Sequence, residues 1–139
     1  MKTINLEDLF TEEREKEGVW FEPKIKGKGC GIQFLVTGRS TDKNVAGGER
    51  YDKALAELED LKDPIEKSKK QKELFANRVA EFVIGIRPAP DSELMYKGKP
   101  LEYSVPLIEE LLQQAPLITG QIFSFVTDTT NFMKGEKNA

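Results

Sequence analysis

A mixed α+β domain, mainly α, with an N-terminal β-hairpin packed on four helices, is predicted by three features of the sequence. Between about residues 18 and 37, apolar residues alternate with polar ones around a glycine-rich turn, which is the period of a half-buried strand pair. Over about 49–62 and 64–85 they recur instead at the three- and four-residue spacing of a helix face. Over about 105–115 and 116–133 the same helical spacing is opened twice by proline, at Pro106 and Pro116. At 139 residues one domain is the natural count, here 18–133, with an arm over 1–17 and a polar tail over 134–139.

The arm opens with Ile4, Leu6, Leu9 and Phe10 and continues as the charged run T-E-E-R-E-K-E. Its two readings are a short amphipathic turn docked on the domain and followed by a solvated tether, or a mobile arm that inserts Leu6 and Phe10 into another protein. In the hairpin, Val19, Trp20, Phe21 and Ile25 precede G-K-G-C-G, after which Ile32, Phe34 and Val36 alternate with Gln33, Leu35 and Thr37. Burial of Trp20, Ile32, Phe34 and Val36 against the helices is expected, contributing ~1.5–3 kcal/mol for each aliphatic or Phe side chain. Pro23 cannot donate to a ladder, which puts the first strand at an edge.

Residues 38–48, G-R-S-T-D-K-N-V-A-G-G, read as a polar loop. Tyr51, Ala54, Leu55, Leu58 and Leu61 then mark the first helix, which Asp63-Pro64 interrupts. The second begins with the nearly all-polar E-K-S-K-K-Q-K and continues with Phe75, Val79, Phe82, Val83 and Ile86 at helical spacing. Residues 87–103, with three prolines and no periodicity, read as a long connection. Ser104 is placed to cap the third helix, whose face is Leu107, Ile108, Leu111, Leu112 and Ala115. Ile118, Ile122, Phe125 and Val126 line the fourth.

Composition narrows the chemistry. A net charge of −3 and a pI near 5.2 argue against a general polyanion binder. The Lys67–Lys72 cluster lies between Glu66 and Glu73 without interleaved aromatics, which favours a solvated helix face over a nucleic-acid contact. Histidine is absent, removing the commonest general base, the neutral-nitrogen metal ligand and every His-dependent triad. The single Cys30 has no base to activate it and no partner for an internal disulfide. Glycines 27, 29 and 31 precede a strand rather than a helix, which does not suit a phosphate loop. Glu109 and Glu110, near a helix start, are explained by the helix dipole. No catalytic, cofactor-binding or metal-ligating residue is assigned, and no cofactor is expected. With neither a signal peptide nor a membrane span in view, a bacterial cytoplasm is the expected compartment.

Function enters through a resemblance that covers nearly the whole chain. It lies in I-N-L-E-D-L-F at the start, G-V-W-F-E-P before the strand pair, A-E-F-V-I-G-I, K-G-K-P-L-E-Y-S before a helix, and L-L-Q-Q-A-P-L leading to I-F-S-F-V-T-D-T-T-N-F. In the order of these pieces the chain resembles the tail assembly chaperones of long-tailed bacteriophages and related prophages. The resemblance implies a non-enzymatic protein of the host cytoplasm that escorts the tape-measure protein, helps tail-tube subunits assemble around it, and is absent from the mature virion. It also implies self-association and, in some members, a longer form made by ribosomal frameshifting. Partners of other kinds, nucleic acid and membrane, are not expected. Leu6 and Phe10 of the arm and Phe123 and Phe132 of the last helix are the candidate contacts, because Phe123 falls off the Ile118–Ile122–Phe125 stripe. The alternative reading is a small head–tail joining or tail-completion protein that stays in the virion.

Overall fold

The computed structural model describes residues 1–133; the expected polar tail, 134–139, lies outside them. The fold is mixed α+β and mainly helical, as the periodicities predict. Its sheet has three antiparallel strands in the order β1–β4–β5, with β1 (Val19–Phe21) at one edge, β4 (Ile32–Val36) in the centre and β5 (Val83–Pro88) beyond it. Val19 faces Val36 and Phe21 faces Phe34 across the predicted hairpin. The turn between them is itself a two-stranded ribbon, β2 (Lys24–Ile25) and β3 (Lys28–Gly29), closed by Lys26 and Gly27 at φ of 53° and 78°. Two successive positive φ values make the tight turn whose twist suits a two-residue hairpin.

β5 is a correction to the sequence reading, which carried the second long helix through residue 85. Helix α3 (Pro64–Ala80) stops at Ala80, and Val83 onward extends to pair with β4. Phe82, Val83, Ile84 and Ile86 satisfy a helical face and a strand about equally well. What decides is the free side of β4: Phe82 gives its carbonyl to Thr37 N at 2.8 Å, and the ladder then runs from Val36↔Val83 to Ile32↔Pro88, with a bulge that leaves Ile84 unmatched. A second ribbon, β6 (Met95–Tyr96) with β7 (Lys99–Pro100), interrupts the expected plain connection.

Helix α2 (Asp42–Glu57) begins seven residues before the position expected for it, inside the stretch read as a loop. Thr41 caps it by accepting from Asn44 N at 3.2 Å. Gly47 and Gly48 lower helix propensity, yet Gly47 permits a close approach: a Cβ there would lie 2.7 Å from Arg78 Nη1. Arg78 lies over the Phe82 ring at 4.4 Å, donates to the Asn44 carbonyl at 2.9 Å and pairs with Glu81 at 3.5 Å, joining α2 to α3. Asn44, itself fully buried, donates from Nδ2 to Thr37 Oγ1 at 2.8 Å and to the Gly38 carbonyl at 2.7 Å.

Helices α4 (Val105–Gln114) and α5 (Pro116–Thr127) form the pair joined at proline. Ser104 caps α4 by accepting from Leu107 N at 3.2 Å. The last stretch, expected helical to 133, leaves the helix at Asp128 and finishes as a 3-10 turn, Thr129–Phe132, with Asp128 Oδ1 accepting from Thr130 N and Oγ1. Ile108, Leu112, Ile118, Ile122 and Val126 close one core with Val79, Phe82, Phe34, Val36 and Val83. Trp20 departs from expectation. Its neighbours Val19 and Phe21 point inward, so strand alternation turns Trp20 to the outer face, where the Arg87 guanidinium stacks on it at 3.9 Å.

Candidate interaction surface

The arm divides at Thr11. Beyond it, the run read as a solvated tether is instead helix α1 (Glu12–Glu17), held firmly. Glu15 is 4% exposed; its carboxylate accepts from Thr11 Oγ1 at 2.8 Å and from Ser40 N at 3.2 Å, and its carbonyl accepts from Gly38 N at 2.9 Å. A Cβ on Gly38 would collide with the Glu15 side chain, so this clasp needs glycine. Arg14 donates to the Met133 carbonyl, tying α1 to the chain beyond α5.

Before Thr11 the chain folds locally and buries nothing. Asn5 caps the 3-10 turn Leu6–Leu9 by accepting from Glu7 N at 3.3 Å, and Phe10 N returns to the Glu7 carbonyl at 3.1 Å. The turn displays its apolar side chains: Ile4, Leu6, Leu9 and Phe10 are 68, 67, 54 and 66% exposed. Four such residues within seven positions form a patch rather than the scattered exposed apolar groups of an ordinary surface.

A second apolar surface lies between β1 and the outer side of α5. Phe21 stacks on Phe125 at 4.4 Å between ring centroids, and Phe125 meets Phe132 edge-on at 6.0 Å. Phe21, Phe125, Leu117 and Gly120 bound a shallow groove of about 640 Å³. Leu117 is 60% exposed. At the groove wall the Gln121 side-chain amide accepts from Lys24 N and donates to the Lys24 carbonyl, both at 2.7 Å. The amide thus occupies main-chain groups at the sheet edge that are otherwise open to another strand.

The four candidate contacts divide between these surroundings. Leu6 and Phe10 stand exposed together on the arm. Phe123 is half-buried, with its ring edge-on to Phe75 at 5.1 Å. Phe132 is corrected outright: it has no exposed surface and sits in the core beneath Phe125, because the chain leaves α5 at Asp128 and turns back under it. Leu117 and Phe21, which border the groove, were not among the candidates. The signal for Leu117 was present, since it lies off the Ile118–Ile122–Val126 stripe on a helix with no charged residue.

Elsewhere polar side chains serve the fold, although Asn44 Oδ1 is buried without a hydrogen-bond partner among the described residues. A cleft of about 650 Å³ between α1 and the start of α2 is lined by Thr11, Glu15, Thr37, Ser40 and Asp42, with Glu15 already bonded as above. Among the described residues no group of three or more His, Cys, Asp or Glu side chains is placed to hold a metal ion. Cys30 is half-buried and donates from Sγ to the Ile32 carbonyl at 3.6 Å. On the lysine-rich face of α3, Lys67 pairs with Glu59 at 3.5 Å and Lys70 with Glu66 at 3.3 Å. Glu110 lies mid-helix rather than at the start of α4, and accepts from Lys97 Nζ at 2.9 Å. That hydrogen bond holds the Glu110 carboxyl below its ordinary value and raises Lys97 above its own. Burial, chiefly, raises the Tyr51 phenol. No described helix is long and apolar enough to cross a membrane. No protein-family model, curated protein or solved structure matches the chain.

Proposed function

We propose that this protein is a tail assembly chaperone of a long-tailed bacteriophage or prophage, acting without catalysis in the host cytoplasm. In this role it binds the tape-measure protein, promotes assembly of tail-tube subunits around it, self-associates, and is left out of the mature virion. The ordered resemblance along the chain motivates the reading. The observation that carries it is the arm, whose Ile4, Leu6, Leu9 and Phe10 stand exposed on a domain that has closed its own core. A long helical client presents apolar stripes, and such a client is shielded reversibly by a partner with an apolar patch of its own.

The test is co-expression with the neighbouring tape-measure protein, followed by size exclusion with light scattering. A defined soluble complex, formed where the tape measure alone aggregates, is the expected result. No association at any concentration overturns the reading. Recovery of this chain in purified particles overturns it in favour of a joining protein.

A further inference from the structure

We propose that the arm of one copy docks Leu6, Leu9 and Phe10 in the α5–β1 groove of a second copy, against Phe21, Leu117 and Phe125. This rests on the self-association part of the reading above, not on its client. Three features match the two surfaces. The groove is uncharged along its length: α5 reads P-L-I-T-G-Q-I-F-S-F-V-T, without an acid or a base. It is also unfilled, for a Cβ built on Gly120 would meet nothing within 4 Å, so the groove floor there is open to an incoming side chain. The charges at its rim complement the arm. The docking turn itself, Leu6–Phe10, carries Glu7 and Asp8 and no cation, with Lys2 four residues ahead of it. Exposed Lys24, Lys26 and Lys28 stand on the ribbon that Gln121 fastens to the groove wall, and the N-terminal end of α5 adds its positive dipole.

A second copy fits better than the arm's own chain. The arm lies along α1, where Leu9 and Phe10 line a cleft with Arg14 and Glu17. Thr11 is fixed by Glu15, and the Leu6–Leu9 turn is closed by Asn5. Docking on its own α5 requires the arm to leave its place along α1. A second copy receives the turn as it stands. Three side chains in a shallow groove make a small contact, so the association is weak and concentration-dependent rather than permanent.

The test uses sedimentation equilibrium on the full chain over a concentration series, with two variants. One lacks residues 1–10, which bury nothing; the other is Leu117→Glu, at an exposed position. Circular dichroism and thermal melts confirm that both remain folded. The wild type is expected to associate, and each variant alone to dissociate at least about tenfold more readily, a change of one decade in Kd. Mixed together they are expected to form a heterodimer, because the first retains a groove and the second an arm. A mixture that stays monomeric, or either variant associating as the wild type does, overturns the proposal. So does a wild type that is monomeric at every concentration. If that monomer still solubilises the tape-measure protein, this inference and the self-association it rests on fall while the client-binding role stands.

Discussion

Phe10 and Phe132 carry the same side chain near opposite ends of the described chain, and their fates are opposite. Phe10 is 66% exposed on a local turn; Phe132 is fully buried beneath Phe125. Both sit at the close of a 3-10 turn whose entry residue caps it with a side-chain oxygen, Asn5 in one case and Asp128 in the other. Local structure is therefore not what separates them. The turn at Thr129–Phe132 is folded back against α5, with Asn131 Nδ2 donating to the Phe125 carbonyl at 2.9 Å, and against α1 through Arg14 and Met133. The turn at Leu6–Leu9 lies only along the charged helix α1, which leaves its apolar side chains exposed. The same motif is core where a concave surface meets it and exposed where none does.

The largest effect that bears on this contrast is expected from Phe132→Ala, which should lower unfolding free energy by about 3–5 kcal/mol in chemical denaturation. A loss no greater than that of an exposed residue would remove Phe132 from the core and collapse the distinction. Asn44→Ala should follow at about 2 kcal/mol, since it strips bonds from Thr37 Oγ1 and the Gly38 carbonyl inside the protein. Phe123→Ser tests the intermediate case: with its ring against Phe75, a loss of about 1–2 kcal/mol is expected. Near-zero loss would return Phe123 to the contact surface.

At the exposed end, the double change Leu6→Ser and Phe10→Ser should move stability by no more than about 0.5 kcal/mol. The same pair should sharply reduce co-purification with the tape-measure protein, so that stability and binding separate in a single variant. A clear drop in melting temperature would mean the arm is packed after all. The smallest effect belongs to Lys97 and Glu110, an exposed ion pair. Because Glu110 is held low, its contribution is present above its unfolded value and lost as pH falls through the lower folded one. Because Lys97 is raised, its contribution is present below its unfolded value and lost as pH rises through the higher folded one. Lys97→Met should therefore match the wild type in acid below the Glu110 titration, with any difference in melting temperature confined to the range where both are charged.

Legibility in the sequence followed the strength of the local signal. Ser104 before V-P-L-I-E-E-L-L placed α4 to within a residue, because a cap and a proline agree with the apolar spacing. The Val19–Val36 hairpin was equally readable from its alternation. The start of α2 was not, since Gly47 and Gly48 argue against a helix until Arg78 is seen to need the space beside them. β5 was missed because F-V-I-G-I suits either period, and the free edge that recruits it belongs to β4, some fifty residues earlier. Of the candidate contacts, Leu6 and Phe10 were legible as an apolar cluster ahead of a charged run. Phe132 misled, because spacing along a helix says nothing about a chain that leaves the helix four residues before it.

By itself, the sequence determined the class of the fold, the hairpin, the proline-linked helix pair and the absence of histidine, all of which depend on composition and on residues within a few positions of one another. Only the tertiary structure decided which phenylalanines lie in the core, that a third strand exists, and that Leu117 borders a groove beside β1. Those outcomes depend on surfaces brought together from distant parts of the chain, and apolar burial is set by what a side chain meets, not by its place in a pattern.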